Sequence, residues 1–332
     1  MISLAPHALA AASAPPGRPC RTPGAARGAA PGRARRLAGA APLALAAKRR
    51  SARRCSEESK VMQAGQTSGE VAEEAARAAG ALIVERVGAE VLRSKAFESD
   101  LVTEVDQCCE EVIREIVQKH LPGHAFLGEE SAGSSMESLL NTEGWLWVVD
   151  PLDGTTNFAS GQPMSAVSIC AARHGQPRAA AIYEPFRDEL FTARSTRGAF
   201  LNGEIICVSG TPRLAEAVVA SGCAPDPRSS AACFRAMAHL APKTRTVRIL
   251  GSAAINFAWL ACGRLDGWFE VDLNCWDTAA GVLLVQEAGG IVTDCLGNDY
   301  TLKTRPVCAS NGHIHFDLLE ELADANVTGL DP

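Results

Sequence analysis

Short, mostly apolar runs separated by turn signals occupy the middle of the chain and predict β-strands. They extend from Ala166 to Ala172, from Ala179 to Tyr183 and from Leu190 to Arg194. Further on, Asn202-Gly203 lies within a short β-like segment, and this dipeptide is typical of a tight hairpin turn. The pattern therefore predicts a series of strands with at least one hairpin.

Helical periodicity occurs before these strands and again after them. Glu70 to Leu92 and Glu104 to Lys119 carry apolar residues at the spacing of an amphipathic helix. After Thr211, runs typical of strands and of helices alternate at 217–221, 229–240, 246–249, 253–262 and 267–271. We therefore predict an α+β half at 69–210 followed by an α/β half at 211–325.

The run from Trp145 to Val149 is short, apolar and rich in aromatic and β-branched residues, as a buried strand is. Asp150 stands at its end. Pro151 cannot donate a ladder hydrogen bond, so we expect the strand to stop and the chain to turn, bringing Asp153 beside Asp150. Two carboxylates in one small space repel unless a cation lies between them, and such hard oxygen ligands favour Mg²⁺. The sequence therefore predicts a magnesium site.

The residues after Asp153 predict a phosphate site next to the metal. Gly154 lacks a Cβ and lets a ligand approach the backbone. The amides of Thr155 and Thr156 face that ligand if a helix starts here, because helix N-termini bind anions. Taken alone, the Asp-x-x-Asp-Gly pattern is equally typical of a surface turn with an Asx cap.

Two further carboxylate clusters stand beside apolar segments. Glu129 and Glu130 follow the short run Phe126-Leu127. Asp277 opens an Ala-rich apolar helix predicted to run to Gly289-Gly290, which places its charge at the positive helix end. A helix cap or a solvated turn accounts for either cluster alone. Three such clusters together predict one shared site.

These motifs give the chain a resemblance to the inositol monophosphatase family, whose members are Mg²⁺-dependent, lithium-sensitive sugar phosphatases. The matching segments are Asp100–Asp106, Gly128–Ser131, Asp150–Phe158 and Trp276–Gly281, in the family's order and at similar intervals. The resemblance extends over residues 69–325. It implies the family's layered αβαβα sandwich, a homodimer, and a phosphomonoesterase in which a metal-activated water attacks the phosphate directly.

The resemblance implies a role for each matched residue. Two or three Mg²⁺ ions are held by Glu129, Asp150, the Leu152 carbonyl, Asp153 and Asp277, with Asp150 as the bridging ligand. Thr155, hydrogen-bonded to Asp106, orients the attacking water, and Glu129 completes the catalytic set. The amides of Gly154 and Thr155 bind the phosphate.

Substrate contacts are implied further along the chain. Glu270, seven residues before Asp277, takes the position at which the family binds a substrate hydroxyl. Gly251, Ser252 and Ala253 match its substrate-binding loop. Lys95 takes the place of a family lysine on a mobile loop near the metals, although a solvated lysine is equally expected there.

The implied substrate is a small polyol or sugar phosphate, with inositol 1-phosphate the first choice. Galactose 1-phosphate, histidinol phosphate and nucleotide 3′-phosphates are the alternatives, because one fold and one metal site serve several substrates. A non-catalytic regulatory protein on the same fold is a second hypothesis. It is disfavoured because every acidic residue that the resemblance implies as a metal ligand is present. We predict no nucleic-acid partner and no membrane partner.

Charge divides the chain into two pieces. Residues 1–56 contain eleven Lys and Arg and no Asp or Glu, which leaves 21 basic and 38 acidic residues after Ser56, a net charge of −17. An acid-free, Arg-rich leader predicts a transit peptide, for the chloroplast by resemblance to plastid-targeted relatives, with the mitochondrion as alternative. A basic tail that binds nucleic acid or lipid is the other interpretation. Residues 57–332 are then one phosphatase domain.

Cysteine and histidine add little chemistry to this prediction. The 12 cysteines are scattered without a Cys-x-x-Cys pair, so zinc is not predicted, and Cys170 and Cys262 are expected to be buried thiols. The six histidines after the leader show no spacing tied to the acidic clusters and predict surface or loop positions: His120, His124, His174, His239, His313 and His315.

Overall fold

A computed structural model gives the architecture of the protein. It describes residues 68–87, 91–94, 101–223 and 225–327. The predicted transit peptide, Lys95 and Asp100 lie outside the described residues. Within the described part of the chain, no helix is both long enough and apolar enough to cross a membrane.

Fourteen strands and eight α-helices make up the described structure. The strands are β1 (Val91–Ser94), β2 (Leu101–Thr103), β3 (Ala125–Gly128), β4 (Trp145–Asp153), β5 (Ala166–Arg173), β6 (Gln176–Glu184), β7 (Glu189–Arg194), β8 (Gly198–Leu201), β9 (Glu204–Ile206), β10 (Val218–Ser221), β11 (Thr246–Ile249), β12 (Gly267–Glu270), β13 (Ile291–Asp294) and β14 (Val307–Ser310). The helices are α1 (68–85), α2 (Glu104–His120), α3 (Met136–Leu140), α4 (Thr155–Ala159), α5 (Pro227–Leu240), α6 (Ala253–Ala261), α7 (Cys275–Glu287) and α8 (His315–Asp324).

The strands form two large sheets and one small pair. Strands β3 to β9 lie side by side in chain order, and each neighbour is antiparallel except β3 beside β4. The second sheet has the order β11-β10-β12-β14-β13, with β10 parallel to both of its neighbours. Strand β1 pairs antiparallel with β2. The first sheet is therefore antiparallel apart from β3, and the second sheet is mixed.

Alternating side chains along the strands show how the layers stack. In β4, Trp147 and Val149 pack against α1 and α2, whereas Leu146 and Val148 pack on the opposite face with α6 and α7. Both faces of the first sheet are therefore covered by helices, which explains why its central strands β4 and β5 are buried almost throughout.

The second sheet repeats this arrangement. Trp268 of β12 faces the layer of α6 and α7, while its neighbour Phe269 faces α5 and α8. The layers therefore run helix, sheet, helix, sheet, helix. The predicted αβαβα sandwich is confirmed, with α6 and α7 buried between the two sheets.

Local signals account for several of these elements. The hairpin predicted at Asn202-Gly203 joins β8 to β9, and both turn residues have positive φ angles, 49° and 84°. The first helix differs from the prediction, because α1 ends at residue 85 rather than at Leu92. The segment Val91–Ser94 pairs with β2 instead, so strand pairing overrides the helical periodicity of the sequence there.

The prediction for the histidines is wrong at one position. The side chain of His315 is 1% exposed and lies at the start of α8 between two hydroxyls, 3.0 Å from Thr293 Oγ1 and 3.0 Å from Ser310 Oγ. His124 is half-buried and its ring stacks on Trp145. The ten described cysteines are free thiols. Cys170 is buried as expected, whereas Cys262 is partly exposed, so the prediction for Cys262 is wrong.

Candidate active site

The strand β4 carries the first two carboxylates, and it does not stop at Pro151 as predicted. It continues to Asp153, and its pairing with β5 shifts so that Asp150 faces Ser168 and Asp153 faces Ala166. Three steps along β4 therefore match two along β5, which is a β-bulge. A proline is tolerated at such a position because the ladder is already interrupted.

The bulge decides the direction of the two side chains. In a regular strand, residues three apart point to opposite faces of the sheet. The extra residue restores the parity, so Asp150 and Asp153 lie on the face where Ser168 donates a hydrogen bond to the Trp276 carbonyl of α7. Both carboxylates are buried, with 2% and 8% of their surface exposed. The predicted pair is therefore brought together on the α7 side.

Gly154 connects this strand to α4 in a conformation that favours glycine. Its φ is +88°, and it is the residue before the first turn of α4. A Cβ at this position would lie 3.1 Å from both the Gly251 and the Met164 carbonyl oxygens. The helix begins at Thr155, so the amides of Thr155 and Thr156 lie in its first turn as predicted.

The hydroxyl of Thr155 contacts Asp106. Thr155 Oγ1 lies 3.1 Å from Asp106 Oδ1 and 3.1 Å from the Leu152 carbonyl, and Asp106 Oδ2 accepts from the Thr103 amide and hydroxyl at 2.8 and 2.6 Å. Burial raises the pKa of Asp106, while the bonds from Thr103 and Thr155 oppose this. The predicted Thr155–Asp106 pair is thus present. With its single hydrogen directed to one of these acceptors, the hydroxyl keeps lone pairs to accept a hydrogen from water.

Glu129 follows β3, and its backbone amide donates to the Val149 carbonyl at 3.0 Å. Its turn is held from α2 by Glu110, whose Oε2 accepts from the Glu130 amide at 2.8 Å. A Cβ on Gly128 would lie 2.2 Å from the same oxygen. This explains the glycine of the Gly-Glu-Glu-Ser motif.

Glu110 is held in turn by Arg114, which donates to it at 2.6 Å and to Ser131 at 2.5 Å. We did not predict these two residues. The only sequence signal was their spacing of four residues, which pairs side chains on one helical face.

Asp277 is the third residue of α7 rather than its first. It forms a capping box with Asn274, whose backbone amide donates to Asp277 Oδ2 at 2.6 Å. The predicted position at the helix N-terminus is therefore correct to within one turn, and the cap itself is Asn274.

The predicted substrate loop contacts Asp153. Ser252 donates its hydroxyl to Asp153 Oδ2, the Ala253 amide donates to Oδ1 at 3.2 Å and the Ala254 amide donates to Oδ2 at 2.8 Å. Burial raises the pKa of Asp153 and these hydrogen bonds lower it. The loop therefore orients a predicted metal ligand, a role that we did not predict from the sequence.

Glu270 ends β12 and is 7% exposed. Burial holds its pKa well above the usual range, and the charges of Asp277 and Asp153 add to the effect. A Cβ on Gly222 would lie 1.7 Å from Glu270 Oε2, so the carboxyl group lies directly over this glycine. The predicted substrate contact is thus within electrostatic range of two predicted metal ligands.

The acidic residues influence one another across the three motifs. The pKa of Asp150 is well above its ordinary value, because of burial first and then because of the charges of Glu129, Asp153 and Asp277. Together with the Leu152 carbonyl, the donor set consists of oxygens alone, which is the chemistry that Mg²⁺ prefers. The residues present therefore fit a magnesium site.

A second group of possible ligands lies elsewhere, on α5 and α8. Among the described residues, His239, Glu321 and Asp324 bring three candidate ligand atoms within 4.8 Å of one another. The ammonium group of Lys243 already donates to Glu321 and lies 2.9 Å from His239 Nε2. The cation in this group is therefore a lysine.

Comparison with known proteins agrees with this fold. Residues 66–327 match the model of the "Inositol monophosphatase family". Inositol monophosphatase 2 of Solanum lycopersicum is 42% identical over 252 residues, which are 74% of this chain and 94% of that protein. The solved structure of inositol monophosphatase from Anabaena superposes with a TM-score of 0.69 at 38% identity, covering 78% of this chain and 96% of that one.

One similar protein is not named as a phosphatase. The "Nus factor SuhB" of Salmonella typhimurium strain LT2 is 38% identical over 262 residues, covering 77% of this chain and 97% of that protein. Together the fold, the relatives and the acidic site define a phosphoric monoester hydrolase. The chain belongs to the inositol monophosphatase family.

Proposed function

We propose that this protein hydrolyses inositol 1-phosphate to inositol and phosphate in a Mg²⁺-dependent reaction. The observation that carries the proposal is the convergence of four carboxylates from three motifs next to the Thr155–Asp106 hydrogen bond of 3.1 Å. Family membership supports the reaction class. The name of the plant relative supports an inositol monophosphate, and the name of the cyanobacterial relative, inositol-1-monophosphatase, supports the 1-phosphate.

Glu129, Asp150, Asp153 and Asp277, with the Leu152 carbonyl, are the proposed ligands of two or three Mg²⁺ ions. Bound magnesium lowers the pKa of a coordinated water and stabilises charge on the leaving oxygen. The four carboxylates explain why a cation is needed, because burial and mutual repulsion raise the pKa of Asp150 in its absence.

Thr155 is the proposed orienting group for the attacking water. Its hydroxyl donates to Asp106 and accepts a hydrogen from the water, which fixes the direction of the water's lone pair toward phosphorus. The amides of Gly154 and Thr155 are proposed to bind phosphate oxygens, as amides in a first helical turn do. Glu129 is proposed to complete the catalytic set from its place at the end of β3.

Glu270 and the loop at Gly251, Ser252 and Ala253 are the proposed contacts of the polyol. The buried carboxyl of Glu270 is suited to a substrate hydroxyl because a buried polar group is stable only with a hydrogen-bonding partner. Because Gly222 has no side chain, this carboxyl group fits directly over its backbone.

A second candidate function is regulatory, and the similarity to the Nus factor SuhB is the observation that favours it. On this hypothesis the acids are kept for metal-dependent structure rather than for turnover. Phosphate release separates the two hypotheses directly.

The test is a phosphate-release assay on the purified full chain with Mg²⁺ and with excess chelator. Inositol 1-phosphate, galactose 1-phosphate, histidinol phosphate and adenosine 3′,5′-bisphosphate are compared by kcat/KM. We expect a preference for inositol 1-phosphate that disappears with chelator and is inhibited by lithium. A preference for another ester would refute inositol 1-phosphate as the substrate but would leave the proposed mechanism intact. No phosphate release from any ester would favour the regulatory hypothesis.

Two further proposals concern the whole chain. We propose that residues 1–56 direct import into the chloroplast, tested by incubating the radiolabelled chain with isolated chloroplasts and with mitochondria. Processing by mitochondria alone would refute the chloroplast assignment. We also propose a homodimer, which the resemblance to the family implies, and sedimentation equilibrium measures its mass directly.

A further inference from the structure

Asn157 connects three segments of the site through one side chain. It lies in α4 and is 8% exposed. Its Nδ2 group donates to the carbonyl oxygens of Met164 at 2.9 Å, Leu250 at 2.8 Å and Gly251 at 3.3 Å. An amide NH₂ has two hydrogens, so three acceptors share them. A helix that follows the phosphate motif is thus bonded to a loop more than ninety residues away.

Two glycines allow the close packing around these bonds. Gly251 has a φ of +73°, and a Cβ there would lie 2.9 Å from both Nδ2 and Oδ1 of Asn157. On the other side, Gly154 approaches the Gly251 and Met164 carbonyls so closely that its own Cβ would lie 3.1 Å from each oxygen. The two glycines therefore allow the three segments to meet, and Asn157 supplies the hydrogen bonds that hold them there.

The bonded loop leads directly to Asp153. Leu250 and Gly251 precede the donors of residues 252–254, of which the Ala254 amide lies 2.8 Å from Asp153 Oδ2. Asp153 in turn stands four residues before Asn157 in the chain. Asn157 therefore binds the loop through the Leu250 carbonyl, and the loop binds the Asp153 carboxylate through the Ala254 amide.

We propose that Asn157 is a positioning residue of the phosphatase site, which fixes the orientation of Asp153 through the loop at 250–254 and thereby the affinity for Mg²⁺. It touches neither the proposed metal ligands nor the proposed phosphate amides through its side chain. The inference rests on the proposed function, because it assigns a purpose to the orientation of Asp153. Partners that orient metal ligands typically contribute about 10- to 100-fold to metal affinity or activity.

The experiment compares Asn157→Ala with Asn311→Ala in the full chain. Asn311 is a matched control because it is 3% exposed and its Nδ2 also donates to two acceptors, Ser209 Oγ and the Thr211 carbonyl, both at 2.9 Å. Neither acceptor belongs to the proposed site. Both variants lose a buried amide, so both lower the thermal unfolding temperature.

Two measurements separate positioning from general stabilisation. Calorimetric titration with Mg²⁺ alone, without substrate, is expected to show at least about 10-fold weaker binding for Asn157→Ala and wild-type binding for Asn311→Ala. Hydrogen exchange in metal-free protein is expected to accelerate at the Ala253 and Ala254 amides in Asn157→Ala only. In assays, kcat should fall at limiting Mg²⁺ and recover partly at high Mg²⁺.

The isosteric variant Asn157→Asp covers the case in which the alanine variant does not fold. It keeps the shape of the side chain but cannot donate, so exchange of the same two amides is again expected to accelerate. Wild-type exchange together with wild-type Mg²⁺ affinity would overturn the role of Asn157. If the unmodified chain hydrolysed no phosphate ester, the proposed function would fail, while exchange and Mg²⁺ titration would still decide whether Asn157 positions Asp153.

Discussion

At the scale of single residues, the site is governed by the environment of each polar group rather than by its identity. Asp150 and Asp106 are both buried aspartates, yet their surroundings differ. Asp150 faces three other carboxylates, whereas Asp106 accepts two hydrogen bonds from Thr103 and one from Thr155. The environment of Asp150 favours a bound cation. The environment of Asp106 leaves one of its carboxylate oxygens to orient the Thr155 hydroxyl.

The first prediction concerns Asp150, the proposed bridging ligand. Asp150→Asn should abolish Mg²⁺-dependent turnover, because it removes one of the four negative charges that are proposed to bind the metal. In chelator the variant should unfold at a temperature no lower than the wild type, since a buried repulsion has been removed. Phosphate release and thermal unfolding in chelator check both parts. Retention of most of the activity would exclude the bridging role.

The second prediction concerns the proposed water-orienting hydroxyl. Thr155→Ala should lower kcat by about 10²-fold or more while Mg²⁺ binding stays close to wild type, because the hydroxyl acts on the water. Thr156→Ala is the matched control, since that neighbouring side chain is exposed and both variants keep their backbone amides. Steady-state kinetics and Mg²⁺ titration test this. A loss of metal affinity larger than the loss of kcat would contradict the assignment.

At the scale of elements, helices α2 and α6 donate or accept hydrogen bonds that hold the acidic motifs in place. Glu110 of α2 accepts from the Glu130 amide at 2.8 Å, and the first turn of α6 donates to Asp153. Each contact joins residues that are distant in sequence. The motifs therefore have their geometry only when these helices are packed against the sheet.

The third prediction tests the support from α2. Glu110→Ala should raise the Mg²⁺ concentration for half-maximal activity about 10-fold, because the turn that carries Glu129 loses its hydrogen bond. Glu111→Ala is the control, as the adjacent side chain on the same helix is exposed. Activity measured across a range of Mg²⁺ concentrations gives the half-maximal concentration for each variant. Equal Mg²⁺ dependence of the two variants would show that Glu110 does not position the turn.

The fourth prediction concerns α8 and pH. Burial lowers the pKa of His315 to about 4 in the folded protein, below its ordinary value of about 6.5. Folding therefore favours the neutral ring, and this contribution to stability is present above pH 6.5 and lost as the pH falls from 6.5 toward 4. The slope reaches at most about 1.4 kcal/mol per pH unit.

Urea unfolding at several pH values checks this prediction. The difference between the wild type and His315→Asn isolates this histidine from the other titrating groups. That difference should shrink between pH 7 and pH 5. A difference that stays constant over this range would mean that His315 does not titrate on unfolding.

At the scale of the whole molecule, five layers bury the site at the junction of two sheets. Strand β4 of the first sheet brings Asp150 and Asp153, β12 of the second brings Glu270, and the central helix α7 brings Asp277. Carboxyl groups from β4, β12 and α7 thus lie at one site. Metal binding should therefore stabilise the fold as a whole.

The fifth prediction follows from this arrangement. Mg²⁺ should raise the thermal unfolding temperature of the full chain, because a ligand at 100 times its Kd adds about 2.7 kcal/mol to stability. Asp150→Asn should lose most of this gain, and chelator should reverse it in the wild type. Differential scanning calorimetry measures the effect. An equal gain in the wild type and in Asp150→Asn would place the stabilising metal elsewhere.

The sequence by itself determined the local features, because each depends on neighbours within a few residues. The hairpin at Asn202-Gly203 and the start of α4 after Gly154 follow from turn chemistry, and hydrophobic periodicity predicts runs of helices and strands. The layered sandwich was implied by the resemblance to the family. The acidic motifs identified the family without any structure. These signals are short-range, and a single sequence displays them directly.

Only the tertiary structure decided which groups meet across the chain. The bulge that turns Asp153 onto the same face as Asp150 depends on pairing with β5. The bonds from residues 252–254 to Asp153 and from Asn157 to Leu250 connect positions about one hundred residues apart. Such contacts leave no periodic trace in the sequence, because packing of the completed layers, rather than local preference, brings the partners into hydrogen-bonding distance.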